Sequence, residues 1–167
     1  MDDDRQTDND VSQSPTATRM EFFGSYTHAI DTKGRFIIPN AYRTALGEVF
    51  AIGPTRDLHG VALYPSGVFE TILAELNGMN QRKPYVQKYT QQFYKLSYPD
   101  VQADGQGRVL LPPKLRQRML AEAKELEISG ACNHVRIVDA VKAEEEDLDF
   151  MENLDTILDR MGDIDDA

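Results

Sequence analysis

The chain has a single cysteine, Cys132, no tryptophan and only three histidines. One thiol excludes an intrachain disulfide framework and any multi-cysteine zinc site, and predicts a reducing compartment. His28, His59 and His134 lack a partner ligand at zinc-type spacing, so no metal is expected. Long apolar runs are missing too. No stretch of about 18 uncharged apolar residues occurs, and the polar N-terminus contains no signal-like apolar segment. Secretion and membrane spanning are therefore not expected. Without a Ser-His-Asp order, a glycine-rich phosphate loop or a nucleophile elbow, no catalytic residue, cofactor or small-molecule substrate is expected either.

What is present is enough to fold. The 167 residues are 41% apolar, with seven Phe and seven Tyr, which fits one ordinary domain or two small packed ones. The net charge of −10 argues at first against a nucleic-acid partner. Its distribution reverses that. Residues 1–19 carry 5 Asp against 2 Arg, and residues 119–167 carry 15 acids against 4 bases. Between them, residues 20–118 hold 12 Lys and Arg against 8 Asp and Glu, a net +4. A basic middle flanked by acidic ends is the informative pattern.

Two stretches repeat at an offset of 73 positions. Asp31, Gly34, Arg35, Pro39 and Arg43 coincide with Asp104, Gly107, Arg108, Pro112 and Arg116. Five identities at one offset, with apolar matches between them, read as an internal duplication. Each copy predicts a strand, a tight turn through Asp-x-x-Gly-Arg, a short apolar strand over 36–38 or 109–111, a proline stop and a brief helix. The helices are expected at Asn40 to Leu46, halted by Gly47, and from Pro113 to about Ala121. Strands over 49–52, 61–64, 126–128 and 135–138 follow.

Two longer helices are predicted between the motifs. Ser66 serves as N-cap for one bearing Phe69, Ile72, Leu73 and Leu76, ending at Asn77-Gly78. The other runs from Pro84 to Leu96 with Tyr85, Tyr89 and Phe93 on one face, read with Tyr94 as core packing rather than base stacking. Near the end, Met151, Leu154, Leu158 and Met161 mark an amphipathic helix in an acidic segment, which either docks on a partner or frays.

In the Asp-x-x-Gly-Arg turn, Asp31 or Asp104 accepts bonds from following N–H groups, while Gly34 or Gly107 supplies a positive φ. Arg35 and Arg108, with Lys33 beside the first, then project from a held loop toward phosphate or a guanine edge. Arg43, Arg116 and Lys114, with Arg118, form a second basic row on the short helices. The alternative is that Asp31–Arg35 and Asp104–Arg108 are only turn-stabilising surface ion pairs, worth about 0–1 kcal/mol.

These residues resemble the MraZ family. Tyr26-Thr-His28, Asp31-x-Lys33-Gly34-Arg35, Pro39, Arg43, Leu46-Gly47 and Val61-x-Leu-Tyr64-Pro65 are similar to its first half. Asp104-x-Gln106-Gly107-Arg108 through Pro112-Pro113 and Arg116 are similar to its second, so the resemblance covers about residues 20–140. It implies an α+β, β-rich duplicated swapped-hairpin barrel of the AbrB/SpoVT kind, two pseudo-symmetric halves with flanking helices. It also implies sequence-specific binding of double-stranded DNA at repeated promoter boxes by a ring-like homo-oligomer. The function implied is transcriptional regulation of the division and cell-wall gene cluster, in the cytoplasm and on the nucleoid. Asp31, Arg35, Asp104 and Arg108 are the residues it carries over. Gln106 stands where the first motif has Lys33, which implies that the first turn contributes more to DNA affinity, and the acidic extensions, expected to compete with DNA for the basic surface, depart from the family core.

The expected organisation is a disordered acidic tail over 1–19, a first half over 20–78, a connecting helix over 79–97, a second half over 98–141 and an acidic helix or tail over 142–167. Two other functions stay open: an antitoxin-like protein whose acidic tail binds a partner, and a structural ring protein without DNA affinity.

Overall fold

The computed structural model describes residues 21–165, so the expected disordered tail over 1–19 lies outside the described residues. The fold is mixed α+β. Its main sheet has the order β1-β7-β8-β4-β3-β5, with every neighbouring pair antiparallel. These strands are β1 (Ser25–Ala29), β3 (Phe50–Pro54), β4 (Val61–Pro65), β5 (Tyr98–Val101), β7 (Glu125–Gly130) and β8 (Val135–Asp139). A separate two-stranded ribbon pairs β2 (Arg35–Ile37) with β6 (Arg108–Leu110). Among the described residues, no helix is long and apolar enough to cross a membrane.

The central strands explain the layering. β3 and β4 read as nearly continuous apolar runs, the pattern of strands covered on both faces. Phe50, Ile52, Val61 and Leu63 point to one side. There they meet the inner residues of the ribbon, Phe36 and Val109, with Tyr42 and Leu46 of α1 (Asn40–Leu46) and Leu115 and Met119 of α4 (Pro113–Met119). Ala51, Ala62 and Tyr64 point to the other side, against Val68, Phe69, Ile72 and Leu76 of α2 (Ser66–Gly78) and Phe93 of α3 (Pro84–Lys95). The sheet is thus sandwiched between a helical layer and a layer made of the ribbon and the two short helices.

Local signals place the helices well. Helix α1 starts after Pro39 and stops at Gly47, whose φ of 81° an L side chain resists. Pro113 occupies the first turn of α4, where its missing N–H costs nothing. Ser66 is a correction: it lies inside α2 and its hydroxyl donates to Val49 O, while Pro65 holds the cap position without a side-chain bond. The tyrosines of α3 are another. Phe93 and Leu96 are buried and Tyr89 is partly covered, but Tyr85 and Tyr94 are exposed. Tyr94 donates to Asn77 Oδ1 and Tyr89 to Arg56 O, so the polar tips are satisfied at the helix edge.

The acidic C-terminal segment forms two helices, α5 (Ala140–Glu152) and α6 (Leu154–Asp165). Asp139 caps α5 by accepting from Val141 N at 3.0 Å. Asn153 breaks the pair, donating to Asp149 O.

Candidate nucleic-acid interface

The two Asp-x-x-Gly-Arg turns make the same bonds, atom for atom. Asp31 Oδ1 accepts from Lys33 N and Arg35 N, each at 2.9 Å, and Asp104 Oδ1 accepts from Gln106 N and Arg108 N at the same distances. The chain closes each turn with Asp31 N donating to Arg35 O and Asp104 N to Arg108 O, both at 2.9 Å. Gly34 and Gly107 sit at φ of 86° and 76°, the left-handed region that the turn demands of its fourth residue.

The strands flanking each turn do not pair with each other. β1 pairs with β7 and β5 with β3, whereas β2 and β6 pair across the two motifs. Three-residue strands with one inward side chain apiece have too little of their own to bury, so each turn is clamped by the other motif. Ile38 N donates to Gly107 O at 3.0 Å and Leu111 N to Gly34 O at 2.9 Å. The register sets Arg35 opposite Leu110 and Ile37 opposite Arg108. Because side chains alternate, Arg35, Ile37, Arg108 and Leu110 share the outer face while Phe36 and Val109 face the core. On such a diagonal the two arginine positions are about 7–8 Å apart.

Each arginine is also held at its base. Arg35 Nε donates to Asp31 Oδ2 and Arg108 Nε to Asp104 Oδ2, both at 2.8 Å. The ion-pair reading of these residues is therefore realised, yet it uses only one edge of each guanidinium. Among the described residues the Nη groups of Arg35 and Arg108 make no bond, and both side chains stay 35% exposed. A guanidinium anchored through Nε and open at Nη is pre-organised for an outside acceptor.

The basic residues of the short helices divide into two roles. Arg43 reaches from α1 over the second turn: its Nε donates to Ile38 O at 3.0 Å, its Nη2 to Gln106 O at 3.4 Å, and its guanidinium lies where a Cβ on Gly107 would be. Arg116 covers the first turn from α4, its Nη1 lying 3.0 Å from the Cβ position of Gly34. Each lies over the opposite motif's corner, but only Arg43 is hydrogen-bonded there. Lys33, by contrast, is exposed and lines one depression with Arg116, Gln117 and a single acid, Glu122. Lys114, Gln117 and Arg118 line the next with Lys95, and Arg118 Nη2 donates to Gln92 Oε1 at 3.0 Å, tying α4 to α3. A basic track therefore runs from the first turn along α4. Around Arg43 the equivalent depression holds Glu48 and Asp104 and is less positive.

Lys95 is the residue that sequence reading missed. Its only local signal is a place in the last turn of α3, where a cation suits the helix dipole. That α3 ends beside α4 is a tertiary fact.

Both turn carboxyls are held below the usual carboxylate value, chiefly by the backbone N–H donated from Arg35 to Asp31 and from Arg108 to Asp104. A lowered value in the folded state favours the charged form, so this contribution is complete above the ordinary carboxylate range and disappears as pH falls through the folded value. An acid titration followed by thermal unfolding should show the turns loosening only below about pH 4. Asp31→Asn with Asp104→Asn should shrink that acid limb; an unaltered limb would show that the turns do not govern it.

His28 lies on β1, His59 in the loop before β4 and His134 just before β8, against Tyr64. Cys132 is a free thiol between β7 and β8 at φ of 71°, its backbone paired with that of Phe22 in an isolated antiparallel bridge.

A bonded scaffold that holds two guanidinium groups on the open face of a two-stranded ribbon defines the class at this level: an α+β protein with a cationic ribbon face. A family model described as "MraZ protein, putative antitoxin-like" matches residues 22–91. A protein of Lachnoclostridium phytofermentans named "Transcriptional regulator MraZ" is 32% identical over 141 residues, covering 84% of this chain and 94% of its own. The protein of the same name from Finegoldia magna is 31% identical over 86% of this chain and 99% of its own, and that of Limosilactobacillus fermentum 37% identical over 71% and 81%. The chain belongs to the MraZ family.

Proposed function

We propose that the protein is a sequence-specific double-stranded DNA-binding transcriptional regulator that reads promoter repeats with the β2/β6 ribbon. One observation carries this reading: the register puts Arg35 and Arg108 on a single exposed face, each anchored by its own turn carboxylate. A two-stranded antiparallel ribbon is of a size that the DNA major groove admits. A guanidinium fork suits both phosphate and the guanine edge. Lys33 and Lys114 supply backbone contacts along the basic track, and Arg43 and Arg116 serve by holding the corners rigid. The names of the relatives support regulation of transcription, which is no enzyme class.

The architecture that fits is the duplicated swapped-hairpin barrel. Halves over 20–78 and 98–141 interleave through the ribbon, 79–97 connects them, and 142–167 is an acidic appendage. Two arginine corners make few contacts, so useful affinity calls for several subunits on successive boxes, as in a ring-like homo-oligomer. The genes controlled are the division and cell-wall cluster including its own, which places the protein in the cytoplasm on the nucleoid.

The test is a nuclease footprint of the full chain on the DNA upstream of its own gene. Protection should fall on regularly spaced direct repeats. Protection that is absent, or uniform along the fragment, would leave the ribbon without a sequence to read.

A further inference from the structure

We propose that α4 and one stripe of α3 form a one-sided phosphate-binding track, which grips the duplex beyond the stretch read by the β2/β6 ribbon and so gives each subunit a direction along DNA. This rests on the DNA-binding reading and adds to it a second contact surface and an orientation.

The two turns make the same bonds, so a ribbon carrying only Arg35 and Arg108 would present much the same face to a site in either direction. The flanks break that symmetry. At the offset of 73 positions that relates the motifs, Lys33 matches Gln106, Lys114 matches Ala41 and Arg118 matches Ala45. In each pair the cation belongs to the first turn or to α4, which lie together. On the other side, the depression around Arg43 holds Glu48 and Asp104, and the one beside Ala45 is lined by Glu21, Phe22 and Val68.

Helix α3 carries the positive side further. Tyr85, Lys88, Gln92 and Lys95 fall at i, i+3, i+7 and i+10, a single stripe. Gln92 accepts from Arg118 Nη2 at 3.0 Å, so this stripe is the one turned toward α4. Tyr85, Lys88 and Lys95 are exposed, and Lys83 sets its Nζ 5.9 Å from the centre of the Tyr85 ring. The stripe adds about 15 Å to the track, the axial rise of about four base pairs.

A lysine-bearing helix face is by default a solvated one. Two observations point to a polyanion instead. The sequence from Leu76 to Pro99 contains four bases and no acid. Among the described residues Lys83, Lys88, Lys95 and Lys114 enter no ion pair, whereas Arg56 and Arg136 elsewhere on the surface each hold a glutamate. Neighbouring cations left without carboxylates suit a row of phosphates, whose counterions they displace. Gln91, Gln92 and the Tyr85 hydroxyl add neutral donors of the kind that phosphate oxygens accept.

Hydroxyl-radical footprinting of the full chain on the duplex upstream of its gene tests this, because it reads the sugar–phosphate backbone. The unchanged protein should protect each repeat and about four further base pairs, on one and the same side of every repeat. Lys88→Gln with Lys95→Gln should lose the flank and keep the repeat. Its plot of log affinity against log salt should flatten by about one unit for each lysine contact removed. Lys142→Gln with Arg160→Gln makes the same change of net charge on the acidic helices and should alter neither footprint nor slope. Flank protection equal on both sides overturns the proposal. So does a lysine variant that matches the unchanged protein, or a control that flattens the slope as much. The two readings fail separately. Repeats whose protection needs Arg35 and Arg108 but ignores the lysine variant would sink the track alone. A lysine-dependent slope on a duplex with no protected repeat would sink the ribbon reading while the track stands.

Discussion

Changing Arg35 and Arg108 together to alanine is expected to weaken binding to the upstream duplex at least about thirtyfold, from a loss of about 1–3 kcal/mol per arginine. The plot of log affinity against log salt should also flatten by about one unit for each phosphate contact removed. Stability should move much less. The Asp31 and Asp104 carboxylates keep their bonds from the backbone N–H groups, and a surface ion pair contributes only about 0–1 kcal/mol. That separation distinguishes an arginine that reads DNA from one that only staples its turn. Arg56→Ala is the matched control, since Arg56 is engaged by Glu75 Oε2 at 2.8 Å away from the ribbon. If the double variant loses its melting temperature but keeps its affinity and salt slope, the corners are structural and the ribbon does not face DNA.

The second large effect belongs to a glycine. Gly107→Ala should lower stability by about 2 kcal/mol, roughly 4–8 °C in Tm for a domain of this size. Two causes combine. Its φ of 76° costs an L residue about 1–2 kcal/mol. The new Cβ would also overlap the Arg43 guanidinium, which must swing away and give up its bonds to Ile38 O and Gln106 O. Those bonds contribute on the order of 1 kcal/mol. Gly105→Ala, two residues earlier, meets nothing within 4 Å and should be neutral to within about 0.5 kcal/mol. Thermal unfolding of the two variants side by side decides it: equal melting temperatures would mean that Arg43 does not buttress the second turn. Gly34→Ala should behave like Gly107→Ala but more mildly, because the new Cβ would lie 3.0 Å from Arg116 Nη1, a close contact that a small shift of that side chain relieves, rather than overlapping it.

Much of this was legible along the chain because it is local physics. Asp31 and Asp104 accept bonds from N–H groups two and four residues on, and Gly34 and Gly107 sit where the turn needs a positive φ. Such a turn is specified within five residues. The stop at Gly47 and the first-turn proline of α4 are of the same kind. The misreadings share a cause as well. Helical spacing grouped Tyr85 with Phe93 on α3, but how far a face is buried depends on what packs against it, and the cover over α3 runs out before Tyr85. Ser66 has a capping side chain, yet Val49 O competed for its hydroxyl.

Turn chemistry, the proline and glycine limits of the two short helices and the contrast between a basic middle and acidic ends are properties of neighbouring residues, and the amino-acid order alone settled them. Pairing is not. That β2 lies along β6, that Arg43 crosses to Gly107 and Arg116 to Gly34, and that Lys95 joins Lys114 and Arg118 are contacts between residues tens of positions apart. They were decided by tertiary structure, because short strands with a single inward side chain gain burial only by pairing with each other across the core.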